Sequence, residues 1–205
     1  MVNDIATYLK YANLQMAAES LFAVPITAIP GAISRDMDVA SLTIGNNRSS
    51  KFTTSQATEF ASLWEVVEHK SNTPTGFSGK LFKAKSGGGS DVDALRTKYG
   101  ITAGELTLSF RSTEFADDAA RDNQATNTME IKPFGWAFGQ IADMEAWYKS
   151  LKADPSKLGA SSFNVTGYSL GGHLATAINL MRKNEQDADG ITNPVSNKTW
   201  GHVLH

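Results

Sequence analysis

The chain has 205 residues, of which 41% are hydrophobic and 20% are charged, and its formal net charge at pH 7 is −2. These values are close to the average for globular proteins and predict one domain with one continuous core, which excludes a disordered or fibrous chain. The sequence has no basic stripe, which argues against nucleic acid or an anionic membrane as a partner. It contains no cysteine, so disulfides, thiolate metal sites and a cysteine nucleophile are excluded.

The N-terminal residues carry no targeting signal. Residues 1–5 lack the basic and apolar regions of a signal peptide. The sequence also lacks the run of about 18 apolar residues that a membrane span requires. Because a cysteine-free composition also suits secreted bacterial enzymes without an N-terminal signal peptide, the compartment is left open.

The first half of the chain predicts two helices, a polar loop and a strand. The loop is expected to run up to residue 47, after which Thr53-Thr54-Ser55 caps a second helix that ends near His69. Short-period apolar positions over residues 77–84 predict a strand. The first helix is predicted over residues 5–22, with an apolar side made of Ile5, Tyr8, Leu9, Ala12, Met16 and Leu21. The apolar side of the second helix comprises Phe60, Leu63, Trp64 and Val67.

The second half alternates shorter elements. A short helix over residues 92–99 is followed by a strand over residues 106–110, which is expected to be central. Residues 114–127 are acidic and polar, which predicts a long surface loop. A helix over residues 138–151 stops before the Asp154-Pro155 break, and a strand is predicted over residues 163–166.

The sequence G-Y-S-L-G, which begins at Gly167, fits the nucleophile-elbow pattern G-x-S-x-G. A predicted strand precedes it and a helical run follows, which is the context that the pattern requires. Ser169 is the predicted nucleophile, and the tight turn requires small residues at Gly167 and Gly171. The N–H of Leu170 is expected to donate to the oxyanion. The alternative is a glycine-rich turn in which Ser169 only caps the helix.

Two segments resemble the fungal-type class 3 lipases and their bacterial relatives. The sequence S-F-R-S-T-E from Ser109 is similar to their F-R-G-[ST] segment, and G-Y-S-L-G-G-H-L-A from Gly167 is similar to their G-H-S-L-G-G-x-L-A elbow. The resemblance covers residues 77–181 and implies an α/β fold, the N-terminal part of an α/β-hydrolase sheet flanked by helices. One incomplete domain of this kind is expected over residues 1–205. The resemblance also implies hydrolysis of lipid esters through an acyl-enzyme on Ser169, and it makes Thr113 the second oxyanion residue.

The chain departs from the family pattern at two positions. Ser112 stands where the family has glycine, and Tyr168 stands where it has histidine. Neither position supplies the attacking group, so the departures concern loop geometry and substrate range.

In these lipases the catalytic acid and histidine follow the serine, but only 36 residues follow Ser169 here. The resemblance therefore predicts that both partners lie beyond residue 205 and that the chain is truncated before them. His173 is expected to pack beneath the site and His69 to be solvated. His202 and His205 are expected to lack a structure that would hold them.

Several functions stay open on the sequence. A lipase or carboxylesterase acting on a lipid or small ester, with contact to a lipid interface, is expected first. A phospholipase A1 or an acyltransferase would use the same serine. A catalytically silent domain would instead self-associate through an unpaired sheet edge. No cofactor is expected in any of these cases.

The remaining features are weaker signals. Asp117, Asp118 and Asp122 match no calcium-loop spacing, so a solvated loop or part of a lid is predicted and no metal site. Residues 87–89 are glycines without the lysine of a phosphate loop.

Aromatic residues at helical spacing near residue 140 are expected to pack in the core. These are Phe138, Trp147 and Tyr148. The alternative for Phe134, Trp136 and Phe138 is an exposed apolar face near the acyl site.

Overall fold

A computed structural model describes residues 4–20, 39–46, 51–112, 128–188 and 199–200. Helices and strands alternate along them. The helices are α1 (Asp4–Glu19), α2 (Val39–Ile44), α3 (Thr54–Leu63), α4 (Gly89–Tyr99), α5 (Lys132–Phe134), α6 (Phe138–Ala153) and α7 (Leu170–Ala188). The strands are β1 (Trp64–Lys70), β2 (Gly79–Ala84), β3 (Leu106–Phe110), β4 (Asn164–Gly167) and the two-residue β5 (Thr199–Trp200).

The strands form one mixed sheet in the order β1-β2-β3-β4-β5. Ala84 N donates to Glu105 O and Arg111 N donates to Ser78 O, so β2 and β3 run antiparallel. β4 and β5 are parallel, with Val165 opposite Thr199. Helices flank the sheet, so the predicted α/β class is confirmed. β3 occupies the predicted central position, and all five of its residues are buried.

The chain forms two compact units. One comprises Met1–His69 and Lys80–Thr107, and the other comprises Lys70–Gly79 and Leu108–His205. The prediction of a single domain stays a prediction. No described helix is long and apolar enough to cross a lipid bilayer.

In the first unit, the N-terminus of α3 confirms the predicted cap. Thr53 Oγ1 accepts from Gln56 N at 3.3 Å, and Gln56 Oε1 accepts from Thr53 N at 3.0 Å, which is a capping box. The predicted end near His69 is wrong, because α3 ends at Leu63 and β1 begins at Trp64. Trp64 is extended, with φ −127° and ψ 148°. Burial alternates over the first three residues of the strand, and its last four residues are half-buried.

The first helix exists, but its predicted apolar side is wrong. Ile5, Tyr8 and Leu9 are exposed. The side that packs inward consists instead of Tyr11, Leu14, Ala17 and Ala18. The polar loop predicted before residue 47 is also wrong in part, since α2 occupies Val39–Ile44 within it.

In the second unit, an aromatic core lies beneath α6. The ring of Trp147 lies 5.8 Å from that of Phe77 and 6.5 Å from that of Phe110. Gly79 permits this packing, because a Cβ there would lie 2.8 Å from Trp147. The core prediction is confirmed for Trp147 and Tyr148, which are buried. It is wrong for Phe138, which lies at the first position of α6 and is exposed.

Candidate active site

The turn between β4 and α7 contains Ser169 in a strained backbone conformation. Its φ is 51°, and no other non-glycine residue in the described part of the chain has a positive φ. This conformation costs an L-residue about 1–2 kcal/mol, and such strain is concentrated at functional sites. The strained residue is the predicted nucleophile, and it is exposed to solvent.

The two predicted elbow glycines are required by close backbone approaches. A Cβ on Gly167 would lie 2.7 Å from Gly172 N and closer still to Gly171 O. A Cβ on Gly171 would lie 2.9 Å from Arg111 O and closer still to Phe110 O. These neighbours are backbone atoms, which cannot move aside as a flexible side chain can. The elbow therefore fits against the end of β3 only with glycine at both positions.

The same packing places the end of β3 against the turn that contains Ser169. Gly171 contacts the carbonyls of Phe110 and Arg111, which are three and two residues before Thr113, the predicted second oxyanion residue. Thr113 itself lies outside the described residues. Leu170 is the first residue of α7, so its N–H is one of the N-terminal amides that the helix cannot bond internally. The positive end of the helix dipole lies at the same place.

His173, one helical turn beyond Ser169, joins two parts of the site. Its backbone N–H donates to Ser169 O at 3.1 Å, and its Nε2 accepts from Ala137 N at 3.2 Å. Its ring centroid lies 5.3 Å from that of Trp136. Burial lowers the pKa of His173 below 6.5, so the ring is neutral at pH 7 with its proton on Nδ1. With Nε2 bonded and Nδ1 protonated, His173 cannot take the proton of Ser169.

The aromatic residues before α6 form an exposed surface. Phe134, Trp136 and Phe138 are 66%, 37% and 56% exposed. Phe134 and Phe138 contact each other with ring centroids 6.3 Å apart. Of the two alternatives for this segment, the exposed apolar face is the one found. Tyr168, next to Ser169, is also exposed.

Comparisons with protein-family models, with curated proteins and with solved structures find no match. The resemblance to class 3 lipases therefore rests on the two sequence segments and stays a prediction. In the described ranges, no group of three His, Cys, Asp or Glu side chains could hold a metal ion.

Of the other predicted histidines and the acidic loop, the structure describes His69. His69 lies in β1 and belongs to the first unit, where it is partly buried and not fully solvated as predicted. His202, His205 and the predicted loop with Asp117, Asp118 and Asp122 lie outside the described residues.

The strain at Ser169 predicts a measurable gain on replacement by glycine. Each substitution changes the free energy of unfolding relative to the parent chain. The change should be about 1 kcal/mol more favourable for Ser169→Gly than for Ser162→Gly, because Ser169 has a left-handed backbone conformation that glycine relieves. Ser162 is a matched control, since it is exposed and lies just before β4. Urea unfolding monitored by circular dichroism measures both. Equal effects of the two substitutions would show that the turn stores no strain.

Proposed function

We propose that this chain is a serine hydrolase that cleaves carboxylic esters through an acyl-enzyme on Ser169. The observation that carries the proposal is the backbone of Ser169, with φ 51° on an exposed turn from a strand into a helix. This conformation argues against a serine that only caps a helix, because capping residues are extended. Thr53 illustrates the ordinary cap in this chain, with φ −68° and ψ 161°.

In the proposed reaction, Ser169 Oγ attacks the ester carbonyl carbon and loses its proton to a general base. The carbonyl oxygen becomes an oxyanion, which the N–H of Leu170 and the N-terminus of α7 stabilise. One such donor contributes about 3 kcal/mol to lowering the barrier. The protonated base then returns the proton to the leaving oxygen as the C–O bond to the alcohol breaks. In a second step water attacks the acyl carbon and releases the acid from Ser169.

The general base is not His173, because its Nε2 accepts from Ala137 N. The pKa of the base is accessible from the pH profile of kcat/KM, which reports the free enzyme's essential groups. A base that must be deprotonated to be active gives a rate that rises with pH through its pKa. The profile therefore identifies a histidine or a carboxylate by the position of that rise.

The proposed substrates are esters with apolar acyl groups, lipid esters in particular. The exposed aromatic surface supports this choice, since Phe134, Trp136 and Phe138 present apolar area to solvent. The resemblance to class 3 lipases supports the same class. Phospholipid esters would use the same nucleophile, and an acceptor alcohol in place of water would make the reaction an acyl transfer.

The proposal is tested by hydrolysis of p-nitrophenyl esters. Ser169→Ala is expected to lower kcat at least about a thousandfold, because no other group replaces a lost nucleophile. Ser162→Ala is the control for an exposed serine outside the elbow, and its rate should equal that of the parent. Turnover in the parent that survives Ser169→Ala would refute the proposal. A parent chain without turnover would support the catalytically silent alternative.

A further inference from the structure

We propose that His173 is a positioning residue of this site, which fastens the aromatic segment, residues 134–138, to the helix that carries the nucleophile. The aromatic segment then forms the surface along which the apolar acyl group of the ester lies. The attachment of the segment does not depend on whether Ser169 reacts. Its consequence for substrate preference rests on the proposed function.

The bonds of His173 connect the nucleophile and the aromatic segment through a single residue. The backbone N–H closes the first turn of α7 on Ser169 O. The side chain accepts the N–H of Ala137, which is the N-cap residue of α6 and has no side-chain cap of its own. The imidazole thus bonds an amide that a helix N-terminus leaves without an internal partner.

The second contact of His173 fixes the segment's orientation. The rings of His173 and Trp136 lie 5.3 Å apart with an interplanar angle of 52°, a separation typical of interacting aromatic rings. Ala137 is fully buried, whereas its neighbours Trp136 and Phe138 are exposed. The segment is therefore attached at Ala137 and presents aromatic side chains to solvent on either side of that residue.

The attachment requires a neutral ring. Protonated Nε2 would be a donor and would face the N–H of Ala137, so the bond is intact above pH 6.5 and is lost as the pH falls through the lowered pKa of His173. Burial is the cause of the lowered pKa, and no described charged group contributes. The titratable groups on the surrounding elements include Tyr168 in the elbow, Arg111 after β3, Glu130 and Lys132 before α6, Asp143 in α6 and Arg182 in α7.

Three of these groups are engaged elsewhere. Glu130 Oε2 accepts from Gly139 N at 3.3 Å, and Asp143 Oδ2 accepts from the hydroxyl of Thr75 at 2.6 Å. Arg182 lies over the ring of Phe163 at 3.8 Å. The expected titration of the attachment is therefore that of His173.

Two substitutions separate the attachment from simple packing. His173→Gln places an amide oxygen where it can accept from Ala137 N and does not titrate. His173→Leu keeps a side chain of similar bulk and removes the acceptor. If His173 only fills space, the two variants should differ only as their packing differs. If His173 accepts from Ala137 N, the attachment should persist in His173→Gln and be lost in His173→Leu.

Amide hydrogen exchange at Ala137, measured by NMR, tests the attachment without any substrate. Relative to the parent at about pH 8, His173→Leu should lower the protection factor of Ala137 about tenfold, the factor that corresponds to one hydrogen bond and one ring contact. His173→Gln should stay within about threefold. Between about pH 8 and about pH 4, protection should fall in the parent with a midpoint below 6.5 and stay level in His173→Gln. Equal protection in the parent and His173→Leu would overturn the inference.

Substrate preference tests the consequence. The ratio of kcat/KM for p-nitrophenyl octanoate over p-nitrophenyl acetate should fall about tenfold in His173→Leu, mainly through KM for the octanoate, and stay within about threefold in His173→Gln. An unchanged ratio in His173→Leu would show that the segment does not bind the acyl group. Failure of the proposed function looks different, because the parent then hydrolyses neither ester while the exchange at Ala137 still responds to the substitutions.

Discussion

Gly171→Ala should destabilise the folded chain by about 3 kcal/mol, the upper part of the usual range for overpacking, and should remove the reactivity of Ser169. The added methyl group would lie 2.9 Å from Arg111 O and closer still to Phe110 O. Both atoms belong to the backbone at the end of the central strand, so relief requires the elbow to move away from β3. That movement displaces Ser169 and the N–H of Leu170 together.

The matched control is Gly87→Ala. A Cβ on Gly87 has no heavy atom within 4 Å, so this substitution should change the free energy of unfolding by no more than about 0.5 kcal/mol. Urea unfolding of both variants provides the comparison, and ester hydrolysis provides the second readout. A Gly171→Ala chain as stable and as reactive as the Gly87→Ala chain would show that the elbow does not fit against β3 in the way described.

Lys80→Ala should cost about 3–5 kcal/mol of stability. Lys80 is fully buried in β2, and its Nζ donates to Ala18 O at 2.5 Å and to Ser20 O at 2.9 Å. These carbonyls lie at the C-terminal end of α1, where the helix leaves its last carbonyl groups without internal partners and where its dipole favours a cation. Removing the side chain leaves two buried acceptors and a cavity.

Lys83→Ala controls for the loss of a lysine from the same strand. Lys83 is exposed, so its removal should change stability by no more than about 0.5 kcal/mol. Lys80→Met adds a second comparison, because it keeps the aliphatic stem and removes only the ammonium donor. Denaturant midpoints for the three variants separate the cavity from the hydrogen bonds. A Lys80→Ala midpoint equal to that of Lys83→Ala would contradict the account of α1.

The elbow was predictable because its constraints are local. Strand, tight turn and helix follow one another within residues 164–188, and the clashes that exclude a Cβ at Gly167 arise from Gly171 and Gly172, four and five residues away. β2, β3, α4 and the cap at Thr53 were predictable for the same reason, since short-range spacing and capping chemistry determine them.

The wrong predictions each depended on contacts distant in sequence. The spacing of Phe60, Leu63 and Trp64 fits a helix, but Leu63 O accepts from Lys85 N, and the chain becomes a strand at Trp64. The buried side of α1 is decided by what packs on it, including the Nζ of Lys80, 60 residues or more away. The role of His173 depends on Ala137, which is 36 residues earlier. The sequence shows a histidine on the helix after the elbow, but it gives no sign that this histidine bonds Ala137.

Labelling with a fluorophosphonate probe, followed by mass spectrometry of the peptide that contains Ser169, tests directly whether Ser169 is an activated nucleophile. Phosphonylation requires an exposed serine whose nucleophilicity is raised by its surroundings. We expect about one label per chain on Ser169, none on Ser162, and no labelling in the Ser169→Ala variant. Absence of label from Ser169 in the folded parent chain, or equal labelling of Ser169 and Ser162, would contradict the claim that this turn is a nucleophile elbow.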